Sequence, residues 1–206
     1  GPSKPACRLY ASLGFRPYRA SVAWMRPASL SDSGATRDLH VAPAVPSEEA
    51  VLCDLLNRFY AARDGYVMLD KRLWRWRKHG RPTDLLAQVF VAYGKGGLAG
   101  TATFCPLRLV GSQGLQEMVY LTDLALVGDG PEMTLKALLR ASPREKPLLA
   151  LAGEDDHELF DLLADSGFAP SPGEVCFILP LSASAERALE RPRRPWYALP
   201  ESIAGV

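Results

Sequence analysis

Apolar positions recur along this chain with two periods. Val51, Leu52, Leu55, Leu56 and Phe59 return every three or four residues, which predicts an amphipathic helix over roughly 48–63, opened by Ser47 with Glu48 and Glu49 in its first turn. The same spacing puts Leu69, Leu73 and Trp76 on one face of a second helix over 69–79, stopped by Gly80 and Pro82. Further helical segments are predicted at 134–141 and at 157–166, the latter closed by Gly167 in a left-handed cap. Between them lie short apolar runs with strand character: 39–42, 88–93, 98–109, 117–127, 147–152 and 175–179. Gly94-Lys95-Gly96-Gly97 reads as the turn of a hairpin. The order is β-α-α-β-β-β-α-β-α-β, a mixed α/β arrangement. Residues 27–38 are rich in Pro, Ser, Gly and Asp without an apolar period and read as a linker. The segment 182–206 reads as a Pro- and Arg-rich tail whose Trp196 and Tyr197 dock on the body.

The start of the chain repeats a piece of its end. Leu9-Tyr10-Ala11-Ser12-Leu13-Gly14-Phe15-Arg16-Pro17 matches Leu162-Leu163-Ala164-Asp165-Ser166-Gly167-Phe168-Ala169-Pro170 at five of nine positions, at an offset of 153. Each copy is followed by an apolar strand, Ala20 to Met25 and Val175 to Leu179. The physical meaning is a helix that ends on a left-handed Gly, with the next Phe turned onto the core. Residues 1–26 are accordingly expected to be the tail of a preceding unit, followed by the linker, one complete unit at 39–181 and the C-terminal tail.

Composition narrows the function. The 206 residues are 48% hydrophobic and 23% charged, with 24 Lys and Arg against 23 Asp and Glu. That is a folding composition with almost no net charge, and it argues against nucleic acid or an anionic membrane as main partner. No apolar run has the roughly 20 residues needed to span a bilayer, and no secretory signal is visible. Cys7, Cys53, Cys105 and Cys176 are widely spaced and there are three His, so no metal site is expected and the cysteines read as reduced thiols of a cytoplasmic protein. The basic stretch Lys71–Arg81 around Trp74 and Trp76 reads as the solvated face of its helix, and the acids at 154–158 around His157 as helix-capping groups rather than metal ligands.

The helix-Gly-Phe-strand ending, placed behind a hairpin, a central strand and a helix, resembles the GCN5-related N-acetyltransferase (GNAT) family. The stretch Met118-Val119-Tyr120-Leu121-Thr122-Asp123-Leu124-Ala125-Leu126 is similar to the family's central strand, and Leu138 and Leu139 fall where its next helix carries paired leucines. The resemblance implies a GNAT-like mixed sheet flanked by helices and an acetyl-CoA-dependent N-acetyltransferase, or the C-terminal portion of a tandem one. A small-molecule or peptide amine would be the acceptor, and an upstream unit or a second copy the partner. It further implies cofactor contacts at Leu124, Leu126, Val127, Gly128, Gly130 and Thr134, where glycines and a helix N-terminus would meet the pyrophosphate. Here the loop departs from the family's Arg/Gln-x-x-Gly-x-Gly/Ala: it lacks the Arg or Gln, Pro131 has no N–H, and Asp129 and Glu132 add carboxylates. The family's proton-donating Tyr corresponds to Tyr10 in the first copy and to Leu163 in the complete one. Glu117 and Asp123 are the candidate bases on the central strand. The alternative is a non-catalytic GNAT-like module that supports an upstream catalytic unit.

Overall fold

The computed structural model describes residues 4–28, 38–79, 86–111, 114–128, 130–143, 145–189 and 194–198. The pieces of the linker at 29–37, the stop signals Gly80 and Pro82, Asp129 and the segments 191–193 and 199–206 lie outside them. Helix α1 (Lys4–Ser12) leads into strand β1 (Arg16–Arg26), followed by β2 (His40–Pro43), a 3-10 turn at Pro46–Glu48, α2 (Glu49–Tyr60) and α3 (Lys71–His79). Then come β3 (Gln88–Gly94), β4 (Gly97–Gly111), β5 (Gly114–Leu126), α4 (Pro131–Arg140), β6 (Leu148–Gly153), α5 (His157–Asp165), β7 (Ala169–Ile178) and α6 (Ala183–Leu189).

Seven strands form one mixed sheet in the order β2-β3-β4-β5-β6-β1-β7, antiparallel everywhere except between β5 and β6. Helices cover both faces. Leu135, Leu138 and Leu139 of α4 and Leu159 and Leu163 of α5 pack on Leu121, Leu124 and Leu126. On the other face Leu52, Leu55 and Leu56 of α2 and Trp74 of α3 pack on Val91 and Ala125. A strand sandwiched this way is apolar at successive positions, not alternate ones, which explains the unbroken burial of β5 from Met118 to Leu126. The paired leucines of α4 are fully buried, and α4 lies close to the sheet because Gly100 leaves room: a Cβ there would meet the Thr134 methyl at 2.9 Å.

The two segments that match at the offset of 153 are neighbours. β1 lies between β6 and β7, antiparallel to both, so residues 16–26 are an interior strand of the sheet to which residues 40–178 contribute the rest. Ser21 and Glu174, equivalent at the offset of 153, meet at the middle of the β1–β7 pair. The Ser21 hydroxyl donates to the Glu174 carbonyl (3.3 Å) and accepts from the Glu174 amide (3.0 Å). The two strands are thus related by a local twofold at this pair. Both helices end as predicted, on Gly14 at φ +86° and Gly167 at φ +82°.

Two expectations need correction. In α3 the buried residues are Trp74, Arg77 and Lys78, and Trp76 is 66% exposed. Leu69 precedes the helix, so its phase does not carry into it, and two of the cations assigned to solvent face the sheet. The tail also holds a helix, α6, before it docks.

Candidate functional site

The single parallel pair is short. β5 and β6 pair at Val119–Leu148, Tyr120–Leu149 and Leu121–Ala150, and beyond that point the strands diverge. The cleft between them is lined by Thr122 to Leu124 on one side and Leu151 to Gly153 on the other, with Tyr60 of α2 and Leu163 of α5 closing it. β5 is irregular at this place: its register with β4 shifts between Thr101 and Thr103, and Asp123 adopts φ +48°, the one positive φ among described non-glycine residues. Asp tolerates this conformation better than most side chains. The Leu124 carbonyl accepts from the Tyr60 hydroxyl at 2.5 Å.

The Asp123 carboxylate points away into a sealed cluster on the α3 side. It pairs with the Lys78 ammonium, lies 3.6 Å from Arg77 and accepts from the Thr122 hydroxyl at 3.1 Å, and Lys78 also donates to Thr103 at 3.0 Å. Burial by itself would raise the Asp123 pKa, but the neighbouring Lys78 and Arg77 charges and these hydrogen bonds outweigh it and hold the carboxyl at about 2. Burial has the opposite consequence for the Tyr60 hydroxyl, pushing it far above the ordinary tyrosine value, with the Asp123 charge adding to the shift.

The cleft is occupied by the chain itself. Trp196, Tyr197 and Ala198 enter it from the tail and leave about 30 Å³ of free space, room for a water or two. Tyr197 and Ala198 are buried, and the Tyr197 ring packs on Tyr60 and Tyr66 with centroids 4.6 and 5.0 Å apart. Two glycines make the space: a Cβ on Gly65 or on Gly153 would collide with Trp196. The fastening is polar. Asp64 donates its amide to the Pro195 carbonyl (2.9 Å) and accepts from the Tyr197 amide (2.9 Å), and its carboxylate accepts from the Arg194 amide (3.1 Å). The Asp155 carboxylate accepts from the Trp196 amide at 2.8 Å. Arg19, whose side chain has no exposed surface, binds Asp155 (2.8 Å), Asp64 (3.1 Å) and the Arg194 carbonyl (2.6 Å) together.

The sequence-predicted catalytic residues are not brought together. Tyr10 is on α1 at the far edge of the sheet, 42% exposed, against Phe15 and Phe177. Glu117 is an exposed residue six positions from Asp123 along β5, roughly 20 Å away at the usual rise per residue. It pairs with Lys146 (2.9 Å) and Arg108 (3.4 Å), and its pKa is lowered by the Lys146 hydrogen bond and charge. Asp123 is in the right strand, but its proton affinity is far too low for a base at neutral pH.

The predicted cofactor contacts divide likewise. The Leu124 and Leu126 side chains are core residues, and the Thr134 hydroxyl turns back to the Gly130 carbonyl (3.4 Å), so none of the three presents a side chain to a ligand. Val127, Gly128 and Gly130 are exposed where β5 ends and α4 begins, and both glycines have positive φ (+82° and +103°) with open space beside their Cα. Arg19, Asp64, Asp155 and Tyr60 were missed. The legible signal for the tail was the Trp196-Tyr197 pair in a polar segment, and for the Lys78 pair it was an Asp inside an apolar strand, which needs a buried cation.

Elsewhere, a groove of about 380 Å³ runs between Trp74 and the β2–β3 edge, with Glu49 and His79 at its rim. Asp156 caps α5, accepting from the Leu159 amide at 3.4 Å, and is paired with Arg63. Among the described residues no three His, Cys, Asp or Glu side chains gather as a metal site, and no helix is long and apolar enough to cross a membrane. All four cysteines are free, Cys53 and Cys105 being buried.

No protein-family model and no curated protein matches the chain. Solved structures do. A GCN5-related N-acetyltransferase from Anabaena variabilis superposes with a TM-score of 0.59 over 85% of this chain and 43% of its own, at 15% identity. A conserved Enterococcus faecalis protein of unknown function, named a probable N-acyltransferase, gives 0.58 over 82% and 42%, at 10% identity. Saccharomyces cerevisiae N-myristoyltransferase, crystallised with bound myristoyl-CoA, gives 0.53 over 78% and 48%, at 14% identity. The chain has the fold of these proteins and spans less than half the length of each.

Proposed function

We propose that the chain is an acyl-CoA-dependent N-acyltransferase, or the C-terminal portion of one, which transfers an acetyl group to the amine of a small molecule or peptide. The observation that carries this reading is the divergence of β5 and β6 beyond Leu121–Ala150 beside a bulge at Asp123, in a fold shared with N-acyltransferases. Such a cleft suits a thioester arm laid between two strand edges that have stopped pairing with each other. The exposed Gly128 and Gly130 at the N-terminus of α4 would lie near the pyrophosphate, where a helix end favours an anion. An unprotonated amine attacks the thioester carbonyl, a C–N bond replaces the C–S bond, and the amine proton goes to the departing sulfur. In this reading Asp123 stays ionised and positions the bulge through Lys78 rather than taking the proton.

The test is isothermal titration with acetyl-CoA, with desulfo-CoA and ATP as controls. Micromolar binding restricted to the CoA compounds supports the reading, and no heat at millimolar ligand refutes it. A second reading, a non-catalytic module that pairs with an upstream unit or a second copy, is favoured by one observation. The cleft is filled, and Leu163 closes it where the family resemblance would place the acidic Tyr.

A further inference from the structure

We propose that residues 194–198 are a displaceable intramolecular ligand of the β5–β6 cleft, an extended peptide that competes with the acyl-CoA arm. This rests on the acyltransferase reading above and adds to it a peptide-binding site and its occupant. The groove has the marks of a site built to hold a peptide backbone. Asp64 takes the Pro195 carbonyl and the Tyr197 amide through its own main chain, a one-residue parallel bridge of the kind by which a strand is added to a sheet edge. Asp155 takes the amide between them. Gly65, at φ +83°, and Gly153 leave a slot for Trp196: a Cβ at Gly153 would stand 2.7 Å from the Trp196 Cβ, and one at Gly65 would run into its ring. Tyr197 then enters an aromatic socket formed by Tyr60 and Tyr66.

Three features make this occupant a ligand rather than a strand of the core. Its main-chain hydrogen bonds include those to Asp64, Asp155 and Arg19, and its strand-like bridge is to Asp64 in the loop after α2. The two carboxylates that grip it are each about one-third exposed, so water can take its place. It also stands where the strands part, and the 30 Å³ beside it cannot admit a thioester. A cleft this full accepts one guest at a time.

The test uses the full chain and acetyl-CoA. Hydrogen exchange of the Trp196 and Tyr197 amides is followed with and without saturating acetyl-CoA, and binding is titrated for the natural chain and for a Trp196→Ala/Tyr197→Ala variant. The expected result is at least tenfold tighter binding by the variant, and faster exchange at both amides when the natural chain is loaded. Binding with these amides still protected overturns the competition and leaves the acyl-CoA reading standing. Equal affinity in the two chains does the same. Absence of binding to both folded chains overturns the acyl-CoA reading and the competition with it. Should the variant not fold, the exchange experiment on the natural chain decides alone.

Discussion

Arg19→Met tests the centre of the tail's fastening. The guanidinium has no exposed surface and holds two carboxylates and one carbonyl, at 2.8, 3.1 and 2.6 Å. Met fills most of the same volume, so the loss is mainly electrostatic. Removing one partner from a buried ion network costs about 3–5 kcal/mol because the remaining charge is uncompensated. Here Asp64 and Asp155 keep 35% and 34% of their side-chain surface and can hydrate, which places the cost near 3 kcal/mol at the lower end of that range. With a urea dependence of about 2–3 kcal/mol per molar for a chain of this size, the unfolding midpoint should fall by roughly 1–1.5 M. The melting temperature should fall by about 6–12 °C. Arg19→Lys should lie between the two chains, since one ammonium cannot bridge three acceptors in that plane. A midpoint shift under about 0.3 M would refute the reasoning, and would mean that the tail is held by the Trp196 and Tyr197 rings without help from charge.

Three other outcomes follow from the same geometry. Asp123 has a folded pKa of about 2 against an ordinary 3.8, so the unfolded chain binds more protons between these values. Its stabilisation, of about 2 kcal/mol, is complete above pH 4 and disappears as the pH falls towards 2. Chemical denaturation across that window should show the loss in the natural chain and a flatter profile in Asp123→Asn. Gly153→Ala should expel the tail, since the new methyl and Trp196 cannot share the space, and susceptibility to chymotrypsin after Trp196 and Tyr197 should rise by about tenfold or more; unchanged cleavage would contradict the packing. Glu117→Gln should leave the proposed acetyl transfer within about a factor of two of the natural chain, because this exposed carboxylate engages Lys146 and Arg108 outside the cleft. A hundredfold loss of rate would return it to the catalytic machinery.

Most of the fold was legible because its elements obey simple periods. The apolar run from Met118 to Leu126, the Gly-rich hairpin turn and the two Gly-Phe helix ends each have one dominant physical cause, and each is found in place. The site was less legible because its members come together only through long-range packing. Arg19 on the N-terminal strand, Asp64 after α2, Asp155 before α5 and Arg194 in the tail share no local pattern. Their charges look like ordinary surface residues one at a time. α3 shows the converse problem: its Lys and Arg residues suit a solvated face, and Lys78 turns inward only because Asp123 is already there.

The interior position of β1 also bears on how the chain folds. Arg26 pairs with Leu148, 122 positions later, and Met25 with Ala169 further still. Within this sheet β1 therefore waits for its β6 partner for about 6–24 s at the usual pace of translation. Through that interval Val22, Trp24 and Met25 are sticky and unpaired. Closing so long a loop is slow, and the last event in forming the sheet should be the insertion of β1 between β6 and β7.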